Sequence, residues 1–284
     1  MVERVLVVGG GTMGRGIAQV VAAAGIPVVL RELDSELAAR AFDGIKKSLQ
    51  RAVEKGKAAL GDADVVLSRI RVTDSLQEGA DAQLVIEAIV EDLSKKQALF
   101  AELDALLPPD SVLATNTSAL SISGIASVTH RPERVLGMHF FNPVPVMKLV
   151  EVIRGERTAP KTVAAAKAFA ERIGKTPVEV RESPGFVVNR LLIPFINEAA
   201  WACMGGIARR EDIDTTMTLG AGHPMGPLAL ADLIGIDVVV GILETLEREL
   251  GDPKYRPCPL LKDMMRNGTL GRKTGRGFFD YDGR

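Results

Sequence analysis

The chain has 284 residues, of which 46% are hydrophobic and 25% are charged, and its formal net charge is −1. This length favours one large domain and a smaller one, and the near-zero charge argues against a global field that would attract nucleic acid or a membrane surface. The two cysteines, Cys203 and Cys258, form no CxxC pair, so neither a disulfide framework nor a thiolate metal site is expected.

The N-terminal sequence MVERVLVVGGG lacks the charged leader and long apolar segment of a secretion signal. No apolar stretch approaches the roughly 20 residues that a membrane span requires. We therefore expect a cytoplasmic protein with no membrane or nucleic-acid partner, although an organellar protein whose leader had been removed would look the same.

The first two thirds of the chain alternate between apolar runs and helical patterns. Residues 2–8, 13–24 and 28–30 predict strand, helix and strand, which together form a βαβ unit. The alternation continues with predicted helices at 35–55, 92–106 and 160–173, and with predicted strands at 70–73, 83–87, 112–115, 134–139, 148–153 and 176–180. This pattern predicts an α/β fold with a doubly wound, mostly parallel sheet.

The sequence changes character after the segment Ser183-Pro-Gly185, where strand-like runs stop. Residues 186–204 are apolar around nearly the whole helical circumference, which predicts a buried helix, and Pro194 inside it predicts a kink. Residues 236–250 carry an apolar face at helical spacing. The last third is therefore predicted to be helical, with more apolar surface than it can cover itself, which favours pairing with a second subunit.

A glycine-rich turn, Gly9-Gly-Gly11-Thr-Met-Gly14, follows the first predicted strand and precedes the first helix. In a GxGxxG turn, Gly9 would permit the tight turn, Gly11 the approach of a pyrophosphate, and Gly14 close packing of helix on strand. The helix N-terminus at Thr12 and Met13 would offer N–H groups to the phosphates. The turn predicts a dinucleotide site and a Rossmann fold.

Glu32 ends the second predicted strand, 23 residues after Gly9. A carboxylate at this place can bond both ribose hydroxyls and repels the extra phosphate of NADP, so NAD is the expected cofactor. Arg31 could instead pair with that phosphate, which keeps NADP open, or it could be a solvated surface residue.

Three classes of dehydrogenase are excluded because the sequence lacks their catalytic residues. A Tyr-x-x-x-Lys pair is absent, because the fourth residue after Tyr255 is Pro259 and Tyr281 lies nearly at the end of the sequence. The two cysteines and three scattered histidines do not supply a catalytic zinc site. Enzymes of the phosphogluconate type place a lysine on the first helix after the sheet domain, where this chain offers Asn189.

His139 is the remaining candidate for a catalytic base. Oxidation of a secondary alcohol by NAD removes a hydride from carbon and a proton from oxygen, and imidazole is suited to accept that proton near neutral pH. Glu151, in the next predicted strand, could fix the ring tautomer and stabilise imidazolium. A core histidine satisfied by backbone is the alternative interpretation of His139.

Five segments closely resemble the L-3-hydroxyacyl-CoA dehydrogenases, whose short microbial members include 3-hydroxybutyryl-CoA dehydrogenases. The resemblance runs essentially from end to end. The segments are GMHFFNPVPVMKLVE (137–151), ATNTSALSI (114–122), SPGFVVNRLL (183–192), GAGHPMGPL (220–228) and KTGRGFFDY (273–281).

This resemblance implies that His139 is the general base paired with Glu151, and that Ser118 and Asn189 hold the substrate oxygen. Other interpretations are an N-cap for Ser118, before a helix at 121–125, and a hydrogen bond that joins the domains for Asn189. The cofactor contacts implied are Glu32, Glu91, Lys96, Asn116, Ser118, Asn142 and Lys273. The CoA contacts implied are Ser48, Lys55, Ser118 and Asn189.

A basic stripe on the predicted helix 35–55 favours a phosphate contact with CoA, although such stripes are usually solvated faces. Its members are Arg40, Lys47, Arg51 and Lys55.

We accordingly predict a dinucleotide-binding domain over 1–184 and a smaller, all-helical substrate and dimerisation domain over 185–284. The expected activity is NAD-dependent interconversion of (S)-3-hydroxyacyl-CoA and 3-ketoacyl-CoA with short acyl chains, in fatty acid β-oxidation or butanoate metabolism. The alternatives are an NADP-preferring acetoacetyl-CoA reductase, a dehydrogenase of a free hydroxyacid or sugar acid of the L-gulonate type, and a nucleotide-binding protein without activity.

Overall fold

The computed structural model of the chain describes residues 2–56 and 59–281. The chain divides into two compact units, one ending at Glu182 and the other beginning at Ser183. The predicted boundary, before Gly185, lies two residues further along the chain. The first unit holds the sheet and the second is helical.

The described part of the first unit forms one eight-stranded sheet in the order β3-β2-β1-β4-β5-β6-β7-β8. Neighbouring strands are parallel except β6 and β7, which are antiparallel. The predicted mostly parallel, doubly wound sheet is therefore confirmed. The strands are β1 Val5–Val8, β2 Val28–Arg31, β3 Ile70–Thr73, β4 Leu84–Glu87, β5 Val112–Thr115, β6 Val135–Phe140, β7 Leu149–Arg154 and β8 Thr176–Arg181.

The central strands are apolar along most of their sequence because they are buried. Every residue of β1, β4 and β5 is buried, as expected for parallel strands covered on both faces. The first strand begins at Val5 rather than at residue 2, because the N–H groups of Glu3 and Arg4 bond the side chain of Gln83 instead of a neighbouring strand.

Some helices of this unit begin at a polar residue whose side chain caps them. Asp34 accepts a hydrogen bond from Leu37 N, and Asp92 accepts one from Lys95 N, which satisfies N–H groups that the first helical turn leaves open. The helices are α1 Thr12–Ala23, α2 Ser35–Glu54, α3 Leu60–Ser68, α4 Leu93–Leu106, α5 Ile122–Ala126 and α6 Pro160–Arg172. Helix α3 was not predicted, because its short sequence carries little amphipathic pattern.

The second unit is helical over its described residues, as predicted. Its helices are α7 Val188–Met204, α8 Arg210–Gly220, α9 Pro227–Ile234, α10 Ile236–Leu250 and α11 Pro259–Arg266. Its core includes Ile196, Val239 and Leu243, each 0% exposed. Among the helices that the structure describes, none combines the length and the hydropathy needed to cross a membrane.

Helix α7 differs from its prediction in start and burial. It begins at Val188, because Gly185 and Phe186 have φ of 73° and 50°, outside the helical region. Ile193 and Ile196 on one side are buried, whereas Leu191 is 69% exposed and Met204 43% exposed. The expectation of burial all round is therefore wrong for this helix within one chain, although Pro194 does lie inside it.

The C-terminal segment is fixed to α9 by one buried carboxylate. Asp232, which is 1% exposed, accepts hydrogen bonds from Phe278 N at 2.8 Å, Phe279 N at 2.9 Å and Tyr281 Oη at 3.1 Å. Burial raises the pKa of Asp232. A Cβ on Gly277 would overlap the Asp232 carboxylate. The second glycine of the KTGRGFFDY segment is therefore needed for this segment to pack against Asp232.

Asp104 on α4 is a second buried carboxylate, remote in sequence from the glycine turn. It lies 2.6 Å from Arg131 Nε and accepts a hydrogen bond of 2.8 Å from His130 N. Burial alone would raise the pKa of Asp104, but the bonds from His130 and Arg131 outweigh burial and hold it below its ordinary value of 3.8.

We predict that Asp104→Asn lowers the free energy of unfolding by about 3 kcal/mol at neutral pH, since it leaves Arg131 without its buried partner. Because the folded-state pKa of Asp104 is lowered, its stabilisation is present above the unfolded pKa and is lost as the pH falls through the folded one. Urea unfolding of both proteins should show a full difference at pH 7 that narrows below pH 3.8. A difference independent of pH would contradict this assignment.

Candidate active site at the carboxyl edge of the sheet

The glycine turn has the steric requirements of a dinucleotide loop. Gly9 has a φ of 100°, and a Cβ there would lie 2.6 Å from Ala88 O. A Cβ on Gly14 would overlap the carbonyl oxygen of Gly9, whereas a Cβ on Gly11 would meet no atom within 4 Å. Gly9 and Gly14 are therefore needed by the fold itself, and Gly11 leaves open space at the N-terminus of α1, where Thr12 and Met13 begin the helix.

Glu32 is held against the glycine turn. Its Oε1 accepts a hydrogen bond from Gly10 N at 2.5 Å, and its Oε2 accepts one from Leu33 N at 3.1 Å. A Cβ on Gly10 would lie 2.6 Å from the Cβ of Ala41, so this glycine, which the motif leaves unspecified, is also required. Arg31 donates from Nε to Asp74 O at 3.2 Å, which ties its guanidinium to the segment after β3.

His139 and Glu151 face each other across the antiparallel strands. The register of β6 and β7 pairs the two residues directly, so their side chains lie on the same face of the sheet. His139 Nδ1 is 2.7 Å from Glu151 Oε2. His139 is 7% exposed and Glu151 1% exposed, so the carboxylate is shielded from water and directed at one ring nitrogen.

The loop 141–148 that joins these strands is fixed from several sides. Asn116 Oδ1 accepts a hydrogen bond from Phe140 N at 2.9 Å, just before the cis peptide between Asn142 and Pro143. The buried Lys175 donates from Nζ to the carbonyl oxygens of Val144 and Met147. Asn116 and the exposed Asn142, both predicted cofactor contacts, thus both lie near the start of this loop.

Glu91, Lys96 and Ser118 are also brought together. Glu91 Oε1 accepts hydrogen bonds from Ser118 N at 2.8 Å and from Ser118 Oγ at 3.2 Å. Lys96 is 1% exposed, and its Nζ lies 3.4 Å from Glu91 Oε2. The alternative N-cap role of Ser118 is wrong, because Ser121 caps α5 by accepting from Gly124 N at 2.9 Å.

One residue of this cluster escaped the sequence analysis. Glu87 ends β4, is 0% exposed and lies 2.5 Å from Lys96 Nζ. Its signal was present in the sequence, as a carboxylate that closes the apolar run Leu84-Val-Ile86. Buried carboxylates are rare unless they are paired, so a glutamate at this position predicts a hydrogen-bonding or cationic partner.

A groove of about 970 Å³ is lined by α1, α2, α3 and the loop 141–148. Ser48, Lys55, Lys47 and Arg51 line it, as do Arg15 and Asn142. Arg40, the fourth member of the predicted basic stripe, is not among its lining residues and pairs instead with Glu36 at 3.3 Å. Three of the four cations therefore face one groove, and the fourth belongs to a surface ion pair.

The two predicted contacts in the helical unit lie in, or bond to, the first turn of a helix. Asn189 is in the first turn of α7. Lys273 donates from Nζ to Asp237 Oδ2 at 2.6 Å, so its charge is balanced by a carboxylate at the start of α10. Their roles toward substrate and cofactor stay predictions.

Comparison with known proteins decides the family. The model of the 3-hydroxyacyl-CoA dehydrogenase NAD binding domain matches residues 4–183, and that of the 3-hydroxyacyl-CoA dehydrogenase C-terminal domain matches residues 185–281. The chain belongs to the 3-hydroxyacyl-CoA dehydrogenase family. The N-terminal match supports NAD as the cofactor of this oxidoreductase.

Similar proteins cover nearly the whole chain. A probable 3-hydroxybutyryl-CoA dehydrogenase of Bacillus subtilis is 50% identical over 99% of this chain and 98% of its own length. The mitochondrial hydroxyacyl-coenzyme A dehydrogenase of Homo sapiens is 44% identical over 99% of this chain and 92% of its own. The crystal structure of (S)-3-hydroxybutyryl-CoA dehydrogenase from Ralstonia eutropha is 44% identical, with a TM-score of 0.95 over 99% of this chain and 100% of that one.

Two glycine substitutions separate fold from cofactor binding. We predict that Gly14→Ala lowers both the melting temperature and the affinity for NADH, because its methyl group would overlap Gly9 O. Gly11→Ala should keep the melting temperature but weaken NADH binding about tenfold, which corresponds to about 1.4 kcal/mol, since the methyl group enters the space assigned to the pyrophosphate. Thermal melts and NADH fluorescence titrations measure both. Unchanged NADH affinity in Gly11→Ala would remove the pyrophosphate from this turn.

Proposed function

We propose that the chain interconverts (S)-3-hydroxyacyl-CoA and 3-ketoacyl-CoA with NAD, and that it acts on short acyl chains such as 3-hydroxybutyryl-CoA and acetoacetyl-CoA. The observation that carries this proposal is the buried contact of 2.7 Å between His139 and Glu151, on the sheet that also carries a dinucleotide turn. The names of the relatives at 44–50% identity support the substrate class.

In the oxidative direction, bound NAD would accept the hydride that the alcohol carbon loses, and His139 would accept the proton of the alcohol oxygen. Because Glu151 holds Nδ1, proton transfer falls to Nε2 of the same ring. The buried carboxylate keeps the ring in the tautomer that can accept at Nε2 and stabilises the imidazolium that forms. In the reductive direction the imidazolium returns the proton to the oxygen as hydride reaches the carbonyl carbon.

Ser118 and Asn189 are assigned to the substrate oxygen. During hydride transfer that oxygen carries partial negative charge, and neutral hydrogen-bond donors stabilise it without competing for the proton. The Ser118 N–H donates to Glu91 Oε1 at 2.8 Å and holds the residue in place. Its hydroxyl, which donates to the same oxygen at 3.2 Å, would turn from Glu91 to donate to the substrate oxygen.

NAD is assigned to the glycine turn, with Glu32 on the adenosine ribose. Its carboxylate lies next to the turn, at 2.5 Å from Gly10 N, where a 2′-phosphate would meet negative charge. Since Arg31 is directed toward Asp74 O, NADH is favoured over NADPH. Glu91, Lys96, Asn116, Asn142 and Lys273 complete the proposed cofactor contacts.

The basic groove is assigned to the CoA moiety. Lys47, Arg51 and Lys55 give it a positive lining that suits the phosphates of CoA, and Ser48 adds a hydroxyl. The equilibrium of the reaction belongs to its substrates, so the same site serves β-oxidation and the reduction of acetoacetyl-CoA in butanoate metabolism.

We assign dimerisation to the helical unit and a cytoplasmic location to the protein. Exposed apolar residues of this unit support a homodimer, since Leu191, Ile207 and Leu219 are 69%, 81% and 82% exposed and burial of their side chains between two subunits would be favourable. Light scattering should give twice the chain mass of 30.3 kDa. A mass of one chain at micromolar concentration would contradict the homodimer.

Initial rates with a panel of substrates test the activity. Acetoacetyl-CoA should react faster than longer 3-ketoacyl-CoAs, and NADH should be preferred to NADPH. Activity with L-gulonate and none with acetoacetyl-CoA would select the free-acid alternative. Tight NADH binding without turnover of any substrate would select a nucleotide-binding protein.

His139→Gln should lower kcat by about 10²–10⁴, the range expected for loss of a general acid–base group, and leave NADH affinity within twofold. Glu151→Gln should lower kcat by about 10–100-fold through loss of orientation. His130→Gln is the matched control, since its side chain is 99% exposed, and should keep wild-type turnover. Equal losses of turnover and NADH binding in His139→Gln would make that residue structural.

A further inference from the structure

The buried carboxylate of Glu87 has no place in the mechanism described above. It ends β4, where the register pairs it with Val8 of β1 on one side and with Thr115 of β5 on the other. It therefore lies between the strand that leads into the glycine turn and the strand that leads into the turn of Ser118. A glutamate that is 0% exposed at this central place requires bonded partners if it is ionised.

Both oxygens of Glu87 are bonded. Oε1 lies 2.5 Å from Lys96 Nζ and accepts a hydrogen bond from Ile89 N at 2.7 Å. Oε2 accepts a hydrogen bond of 2.6 Å from Thr115 Oγ1. Lys96 reaches this carboxylate from α4 and is itself 1% exposed, so the ion pair is shielded from water and held in one arrangement.

The ammonium of Lys96 links Glu87 to Glu91 at the rim of the sheet. Lys96 Nζ lies 3.4 Å from Glu91 Oε2, and the Glu91 side chain is 39% exposed. The other oxygen of Glu91 accepts hydrogen bonds from Thr117 Oγ1 at 2.6 Å and from Ser118 N at 2.8 Å. A chain of ion pairs and hydrogen bonds thus runs from the interior to the backbone of Ser118, the residue assigned to the substrate oxygen.

A second set of hydrogen bonds connects Glu87 to the same turn. Thr115 Oγ1, which donates to Glu87, also accepts a hydrogen bond from Thr117 N at 3.3 Å. Glu87 therefore holds the start of the turn 115–118 through Thr115 and its end through Lys96 and Glu91. The ammonium of Lys96 is shared by the carboxylates of Glu87 and Glu91. The position of the Glu91 side chain therefore depends on the ion pair between Glu87 and Lys96.

We propose that Glu87 is a positioning residue for the reaction, which holds Ser118 in place through Lys96 and Glu91. This inference rests on the proposed function, which assigns the substrate oxygen to Ser118. Glu87 does not touch the substrate in this scheme. It acts through the ion pair, and Lys96 acts as the link between two carboxylates.

A double-mutant cycle on kcat tests the proposal. Glu87→Gln keeps the size of the side chain but removes the charge that holds Lys96, and should lower kcat for acetoacetyl-CoA by about 10–100-fold, the range for loss of an outer-shell partner. In a Ser118→Ala background the same substitution should change kcat by less than twofold, because the hydroxyl that it positions is gone. A Glu91→Gln background should give the same small change and serves if Ser118→Ala turns over too slowly.

Asp104→Asn is the matched control, since it also removes a buried carboxylate from an ion pair of the same unit. It should lower the melting temperature and leave kcat within twofold of wild type. Should Glu87→Gln fail to fold, the double substitution Glu87→Gln/Lys96→Met removes both buried charges together and enters the same comparison between backgrounds.

Wild-type turnover of Glu87→Gln, or an equal loss in all backgrounds, would overturn the positioning role. An equal loss would show that Glu87 supports the fold alone. Wild-type protein without activity on acetoacetyl-CoA would instead refute the proposed function, and the positioning role with it.

Discussion

The antiparallel pairing of β6 with β7 is the constraint on which the candidate site depends. The other strand pairs of the described sheet are parallel, so a residue and its cross-strand neighbour lie far apart in sequence. Reversal of one strand brings residues twelve positions apart, His139 and Glu151, into direct register at 2.7 Å. Because both side chains are buried, the carboxylate needs the imidazole as a partner as much as the imidazole needs the carboxylate for its orientation. One register therefore satisfies a requirement of the fold and a requirement of the proposed chemistry.

The parallel part of the sheet supplies the remaining groups at a single edge. The carboxyl ends of β1, β2, β4 and β5 lead into the glycine turn, Glu32, the segment of Glu91 and the turn of Ser118. Since β6 runs parallel to β5, His139 near its carboxyl end lies at that same edge, which is where open α/β sheets bind their ligands. The Glu87–Lys96 pair, with both members no more than 1% exposed, connects the interior of the sheet to the turn that presents Ser118.

The sequence predicted most of this architecture, because the spacing of apolar residues along the chain and the glycine-rich turn are local signals. The His139–Glu151 contact could be anticipated from two adjacent strands, although the strand direction that makes it was not assigned. Other features depend on tertiary partners that a local pattern does not reveal. Val5 begins β1 because of a side chain nearly eighty residues away, Gln83, and Gly10 is required because α2 passes over it at Ala41. Lys96 lies in the polar stretch VEDLSKK (90–96), which gives no sign that it is buried against Glu87. The exposed side of α7 was hidden in an apolar sequence that does not distinguish a core from an interface.

A crystal structure of the protein with NAD and acetoacetyl-CoA tests the assignment of His139 most directly. The proposed chemistry requires the 3-keto oxygen at about 2.6–3.2 Å from His139 Nε2, with Nδ1 still bonded to Glu151 and the nicotinamide C4 facing the carbonyl carbon. A keto oxygen bound elsewhere, with another proton donor in contact and His139 facing the protein interior, would contradict it.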